Sequence, residues 1–284
     1  MTQELHYSIR TMTRPEIDLA VEWAAAEGWN PGLHDAECFY GADPEGFLVG
    51  LLGDEPVACI SVVKYGESFG FLGFYIVKQA YRNRGYGLRI WNAGLARLQG
   101  RVVGLDGVIA QQENYKKSGF ALAYRNVRYQ GYGGGTLFSD PDIVSLQTIP
   151  FEKVAAYDRP FFLDDRKAFL RCWINQPRCT GLGIMRNQKL AGYGVLRQCR
   201  HGYKIGPLFA DTPLDAERLF SALKATTSEK ESVFIDIPEV NPAALQLVQH
   251  HNMAIIFETS RMYRGTIPVL SLERTFGVTT FELG

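Results

Sequence analysis

The stretch from Phe69 to Leu98 restricts the fold of this chain more than any other. Phe69–Val77 is an almost unbroken apolar and aromatic run, too short to cross a membrane and suited to a buried central strand. Further on, Leu88, Trp91, Leu95 and Leu98 recur at helical spacing until Gly100, which is placed to end the helix. Between strand and helix stands Tyr81-Arg82-Asn83-Arg84-Gly85-Tyr86-Gly87. Two glycines one residue apart let backbone amides turn inward, and a helix start aims unpaired N–H groups and a positive dipole end at the same spot. With Arg82 and Arg84 adding charge, the turn reads as a diphosphate site. The plainer alternative is a tight turn with surface arginines.

Three nucleotide motifs compete for such a loop. A Walker A loop ends in Gly-Lys-Ser/Thr, whereas this one continues Gly-Leu-Arg, and a dinucleotide fingerprint needs a third glycine where Ile90 stands. The pattern present is Arg-x-x-Gly-x-Gly, formed by Arg82, Gly85 and Gly87, and it resembles the acyl-CoA pyrophosphate loop of the GNAT acetyltransferase superfamily. A second segment, Asn114-Tyr115-Lys116-Lys117-Ser118-Gly119-Phe120, resembles that family's Asn…Tyr-x-x-x-Gly-Phe stretch, in order and at family spacing.

Elements elsewhere agree with this order. Tyr7–Arg10 reads as a short strand, and Thr13-Arg14-Pro15-Glu16 as a capping box opening a helix whose buried stripe is Ile17, Ala20, Val21 and Ala24. Phe47–Leu52 and Val57–Tyr65 form a hairpin that leads into the apolar strand. After the glycine loop come a strand Arg101–Leu105, a helical segment near Gln111–Ser118, and a strand ending in Arg128-Tyr129. The Gly131-Tyr132-Gly133-Gly134-Gly135 cluster then marks a linker. Beyond this cluster the chain repeats the pattern, with Gln188–Arg197, Tyr203–Ala210, helix Leu214–Ala225, Val233–Ile237, helix Pro242–His250 and Ala254–Tyr263. At the position of the glycine loop this second copy has Ala210-Asp211-Thr212-Pro213, which repels a diphosphate and suits a helix N-cap, and Gln249 stands opposite Tyr115.

The resemblance covers roughly Leu5 to Gly131. It implies an α/β (α+β) fold of two GNAT-like domains, each a mixed, mostly antiparallel sheet flanked by helices: residues 1–131 as the acyl-CoA-binding catalytic domain, 132–140 as a Gly-rich linker, and 141–284 as a degenerate copy that serves acceptor selectivity or structure. It also implies acetyl-CoA as cofactor, its diphosphate on Arg82, Asn83, Arg84, Gly85, Tyr86, Gly87 and Leu88. The pantetheine arm would pair with the backbone of Phe74, Tyr75, Ile76 and Val77, which are core and sheet surface in any case. Tyr115 matches the family's general acid, since an ordinary tyrosine stays protonated at neutral pH; its plain reading is a packing residue. Asn114 and Lys117 fall on the cofactor side, although Asn114 equally suits a helix cap.

A general base is less defined. Asp106 at a strand end is the first candidate, beside Glu27, Asp35 and Glu67; each is also an ordinary turn acid. The resemblance also implies an acceptor wall in the stretch after the first helix, where Glu27, Trp29, Asn30, His34 and Asp35 offer charge and an aromatic face. Asp158 to Phe162 and Arg166 either close the pocket from the far side or build the second domain's own core.

Composition narrows the partners. Lys and Arg number 30, as do Asp and Glu, for a net charge of zero, which argues against a general nucleic-acid or anionic-membrane binder. The expected partner is a small-molecule amine or aminosugar rather than a protein lysine. Met1–Arg10 is charged and has no apolar stretch, so no signal peptide and a cytoplasmic location are expected. Cys38, Cys59, Cys172, Cys179 and Cys199 lack Cys-x-x-Cys or zinc-ligand spacing, and reduced packing thiols are expected. These features point to acetyl transfer from acetyl-CoA to an amine; the competing function is a non-catalytic acyl-CoA-binding regulator. Oligomeric state is left open.

Overall fold

The apolar run does form a strand at the centre of its half. The computed structural model describes residues 6–135 and 140–284, so part of the expected linker, 136–139, lies outside the described residues. The first half begins with strand β1 (Tyr7–Thr11), helices α1 (Arg14–Ala26) and α2 (Asp35–Ala42), and the meander β2 (Phe47–Leu52), β3 (Glu55–Tyr65) and β4 (Phe69–Val77). Helix α3 (Tyr86–Arg97), strand β5 (Val102–Val108), helix α4 (Gln112–Lys117) and strand β6 (Phe120–Tyr132) complete it. The second half runs in the same order: β7 (Ile143–Ser145), α5 (Phe151–Asp158), α6 (Lys167–Trp173), β8 (Cys179–Arg186), β9 (Lys189–Gln198), β10 (Tyr203–Ala210), α7 (Pro213–Ala225), β11 (Ser232–Pro238), α8 (Pro242–His250) and β12 (Ala254–Arg264). A short strand β13 (Thr275–Gly277) comes last.

Local chemistry accounts for the helix starts. In α1 the Thr13 N–H donates to the Glu16 carboxylate at 2.8 Å, while Ile17, Ala20, Val21 and Ala24 face inward as a single apolar stripe. Thr212 caps α7 by accepting from the Asp215 N–H at 3.1 Å.

The halves do not form separate sheets. All described strands join one 13-stranded sheet in the order β1-β2-β3-β4-β5-β12-β6-β11-β10-β9-β8-β7, with β13 against β10. Thus β12 of the second half lies between β5 and β6, pairing Arg261 with Asp106, and β6 of the first half lies against β11, pairing Arg128 with Asp236. The glycine cluster marks the repeat but does not divide the sheet, because β12 of the second half and β6 of the first each pair with strands of the other half. Within the sheet β4–β5 and β10–β11 are parallel and all other pairings are antiparallel.

A shared aromatic core also joins the halves, with Phe39 of α2 at 6.2 Å from Trp173 of α6 and 5.4 Å from Phe74 of β4. Beside it the cysteine expectation fails at one pair. Cys38 and Cys172 form a disulfide across the α2–α6 contact, where their Cα atoms lie 5.2 Å apart, while Cys59, Cys179 and Cys199 are free. Among the described residues no helix is long and apolar enough to cross a membrane.

Candidate active site

The parallel contact between β4 and β5 is short. Phe69 to Leu72 pair with Val102 to Leu105, and then the strands part. Phe74 adopts a left-handed φ of 45° and the β3–β4 register shifts beside it, a bulge that turns β4 away from β5. Gly73 to Val77 keep β3 on one side and have no strand partner on the other among the described residues. A cleft of about 470 Å³ opens in the gap, lined at one end by the glycine turn and at the other by residues of both halves.

At the turn, Asn83 and Gly85 have left-handed φ of 62° and 81°, and Gly85 precedes α3 with no side-chain cap. The first amides of α3 are therefore free to meet an anion, with the positive end of the helix dipole behind them. Gly87 is also required, since a Cβ there would lie 2.7 Å from the Tyr75 hydroxyl. Arg82, Asn83, Gly85, Gly87 and Leu88 line the cleft, as do Phe74, Tyr75, Ile76 and Val77. Arg82 is not a free cation: its Nε donates to the Val77 carbonyl at 2.9 Å and its guanidinium pairs with Glu27. Arg84 lies over the Tyr81 ring and Tyr86 stacks on Tyr7 at 4.7 Å, both outside the cleft lining.

Tyr115 lines the cleft from the opposite wall. It is 7% exposed and stacked on Trp91 at 5.5 Å, and Gly107 leaves room for its ring, since a Cβ there would lie 2.1 Å from Tyr115 Cε2. Burial raises its pKa above the ordinary tyrosine value, so the hydroxyl stays protonated throughout the physiological range. Asn114 and Lys117, expected on the cofactor, are instead exposed; the Asn114 amide donates to Gln111 at 2.7 Å, and neither lines the cleft.

Asp106 corrects the expectation of a base. It reaches the cleft, yet Arg261 donates to its two oxygens at 3.0 and 2.6 Å and Asn126 adds a bond at 2.8 Å. Burial raises the Asp106 pKa, but both oxygens already accept from Arg261, so the carboxylate is committed to holding β5 against β12. Asp35 is likewise no acceptor ligand. It is 0% exposed, paired with Arg197 at 2.9 Å, and accepts from the Gly32 N–H at 2.7 Å. Asn30 exchanges bonds of 2.9 Å with the His201 backbone, tying the two halves, and His34 sits half-buried before α2; neither lines the cleft. From the expected acceptor stretch the cleft receives Glu27 and Trp29.

The far end is built from residues that sequence reasoning passed over: Arg128, Phe257, Thr259, Phe281 and Glu282. Arg128 is fixed by a bidentate pair to Asp236 at 2.6 and 2.8 Å, and its guanidinium faces Phe281 at 4.9 Å. The Asp158–Arg166 question resolves to core, as a buried ion pair at 2.7 Å that also accepts from the Tyr193 hydroxyl.

The cleft's counterpart in the second half is filled. The β10–β11 pairing ends at Ile205–Ile235, after which β13 joins β10 at Leu208 and Phe209. At the turn, Asp211 pairs with Arg274 and accepts from the Tyr157 hydroxyl at 2.8 Å, and the Thr212 hydroxyl caps α7 by taking the Asp215 amide.

Comparison with known proteins agrees with this geometry. A model of the acetyltransferase (GNAT) family matches residues 12–136 and one of an acetyltransferase (GNAT) domain matches residues 154–277. The chain is 31% identical over 284 residues to the holothin acyltransferase of Pseudoalteromonas sp. (strain SANK 73390), covering 97% of it. A crystal structure of a putative acetyltransferase from Pyrococcus horikoshii superposes with a TM-score of 0.82 at 27% identity, over 100% of this chain and 97% of that one. A tandem GNAT protein from the clavulanic acid biosynthesis pathway shares the fold at a TM-score of 0.63 and 13% identity, over 93% of this chain and 100% of that one. Two consecutive family matches, an open cleft in the first copy and a filled one in the second together make this chain a tandem member of the GNAT superfamily and an N-acetyltransferase.

Proposed function

We propose that the chain binds acetyl-CoA in the first-half cleft and transfers the acetyl group directly to the primary amine of a small molecule, with the second half shaping the acceptor end. The observation that carries this reading is the convergence on one cleft of an uncapped helix start at Gly85, an unpaired strand edge at Gly73–Val77 and the protonated Tyr115 hydroxyl. Acetyl-CoA supplies the activated acyl group as a thioester. The amides after Gly85 bind its diphosphate, the β4 edge orients the pantetheine arm, and Tyr115 donates a proton to the departing thiolate sulfur. The enclosed, aromatic far end suits a compact amine better than a lysine carried on a protein surface. Because a relative of 31% identity is named for holothin, holothin is the first acceptor to try.

The test is thiol release from acetyl-CoA with holothin, other small amines, aminosugars and lysine peptides. Turnover with a small amine supports the reading. Turnover with lysine peptides alone, or acyl transfer from other acyl-CoA species but none from acetyl-CoA, contradicts it.

A further inference from the structure

The segment after β13, residues 278–284, is buried throughout and runs from the second half to the first-half cleft. The Val278 N–H donates to the Asp236 carbonyl at 2.8 Å, and the Tyr65 hydroxyl donates to the Leu283 carbonyl at 3.1 Å. At Gly73, where β4 leaves β5, a Cβ would lie 2.1 Å from the Glu282 carbonyl oxygen. Segment and strand therefore touch where the cleft begins, and Glu282, 4% exposed, lines it.

Buried carboxylates in this protein come paired. Asp35 holds Arg197, Asp106 holds Arg261, Asp158 holds Arg166 and Asp236 holds Arg128. Glu282 differs, because among the described residues its carboxylate accepts a side-chain hydrogen bond from the Thr280 hydroxyl and makes no ion pair. The cations whose charge bears on it are Arg128 of β6, Arg197 of β9 and Lys204 of β10; Asp236 and Asp35 engage the two arginines, and the Lys204 ammonium donates to the Asn30 carbonyl at 3.1 Å, so none of the three is bonded to Glu282. A buried acid without a bonded cation is costly unless something completes it. An acceptor ammonium entering the cleft would do so.

We propose that Glu282 receives the acceptor nitrogen and takes its proton, a role that rests on the reading of this cleft as the site of acetyl transfer to an amine. The ammonium gives one proton to the Glu282 carboxylate and becomes a neutral amine. The C–N bond then forms at the thioester carbonyl and the C–S bond breaks, with the Tyr115 proton going to sulfur. The surplus N–H proton restores the Tyr115 hydroxyl, and Glu282 returns its proton to solvent, so that the products are amide, free thiol and one proton. Trp29, Phe257 and Phe281 flank this end, which favours a flat, compact amine. The second half thus completes the site instead of merely bracing it.

The experiment compares the wild type with Glu282→Gln, which keeps the shape and removes the charge, and with Glu282→Asp, which keeps the charge. Turnover with acetyl-CoA and holothin or another active amine, its pH profile, amine affinity by calorimetry in the presence of CoA, CoA affinity and Tm are all read. Glu282→Gln is expected to lose about 10² to 10⁴-fold in kcat/KM, lose the acidic limb of the profile and bind the amine at least about tenfold more weakly, with CoA affinity unchanged and Tm equal to or above that of the wild type. Glu282→Asp is expected to retain the acidic limb. A Gln variant within about threefold of wild type in turnover and amine affinity overturns the proposal. So does a loss of CoA affinity and Tm in Gln and Asp variants alike, which marks a packing residue. A wild type that neither releases thiol with any amine nor binds one brings down the reading of acyl transfer to an amine, and Glu282's role with it.

Discussion

The two halves have the same order of elements and opposite treatment of the same gap. In the first, β4 and β5 part after Leu72 and the space stays open, with uncapped amides at its mouth. In the second, β10 and β11 part after Ile205, and the chain lays its own β13 into the space against β10. The helix starts differ in the same sense: Gly85 leaves the first amides of α3 without a side-chain cap, whereas Thr212 takes the Asp215 amide of α7. A splayed parallel pair is thus a slot for an extended chain. Either a cofactor or the protein's own backbone can fill it, and the residues at the adjoining turn decide which.

The contrast can be broken most severely at the first turn. Gly85→Glu places a side chain at a φ of 81° and a negative charge beside the anion site; we predict that CoA binding disappears in calorimetry while circular dichroism stays native. Retained affinity would contradict the loop assignment. Tyr115→Phe should come next, lowering kcat by about 10² to 10⁴-fold with CoA affinity unchanged. A drop of less than about threefold would leave Tyr115 as a packing residue.

On the other side of the comparison, Thr212→Ala removes a cap that serves only the fold. Unfolding experiments should show a loss of about 0.5–2 kcal/mol, and CoA affinity should not move. The smallest effect is expected at α1, another self-satisfied helix start. A hydrogen bond from Arg10 holds the Glu16 pKa down at about 2, against its ordinary 4.5. The folded value lies below the unfolded one, so the stabilisation is present above about pH 4.5 and lost as the pH falls toward 2. Glu16→Gln should therefore cost about 0.2–1 kcal/mol at neutral pH and nothing near pH 2; an equal cost at both would sink the ionic account.

The glycine-turn end of the cleft was legible in the sequence because it is local. A strand, a glycine turn, a helix and the Tyr115 segment each carry their own pattern, and the repeat shows where the second turn differs. The acceptor end was not, because it depends on pairings between distant strands. Nothing in the periodicity of β6 or β12 says that they cross to the other half. Asp106 and Asp35 read as free acids since Arg261 and Arg197, which bind them, are far along the chain. Glu282 lies in Thr275-Phe276-Gly277-Val278-Thr279-Thr280-Phe281-Glu282-Leu283, whose apolar and β-branched character was a usable sign of buried extended chain.

On this reading one slot accepts CoA and its twin, already filled by β13, does not. Calorimetric titration of the intact protein with CoA tests it most directly. One molecule bound per chain is the predicted stoichiometry; two equivalent sites, or one site that survives in Gly85→Glu, would contradict it.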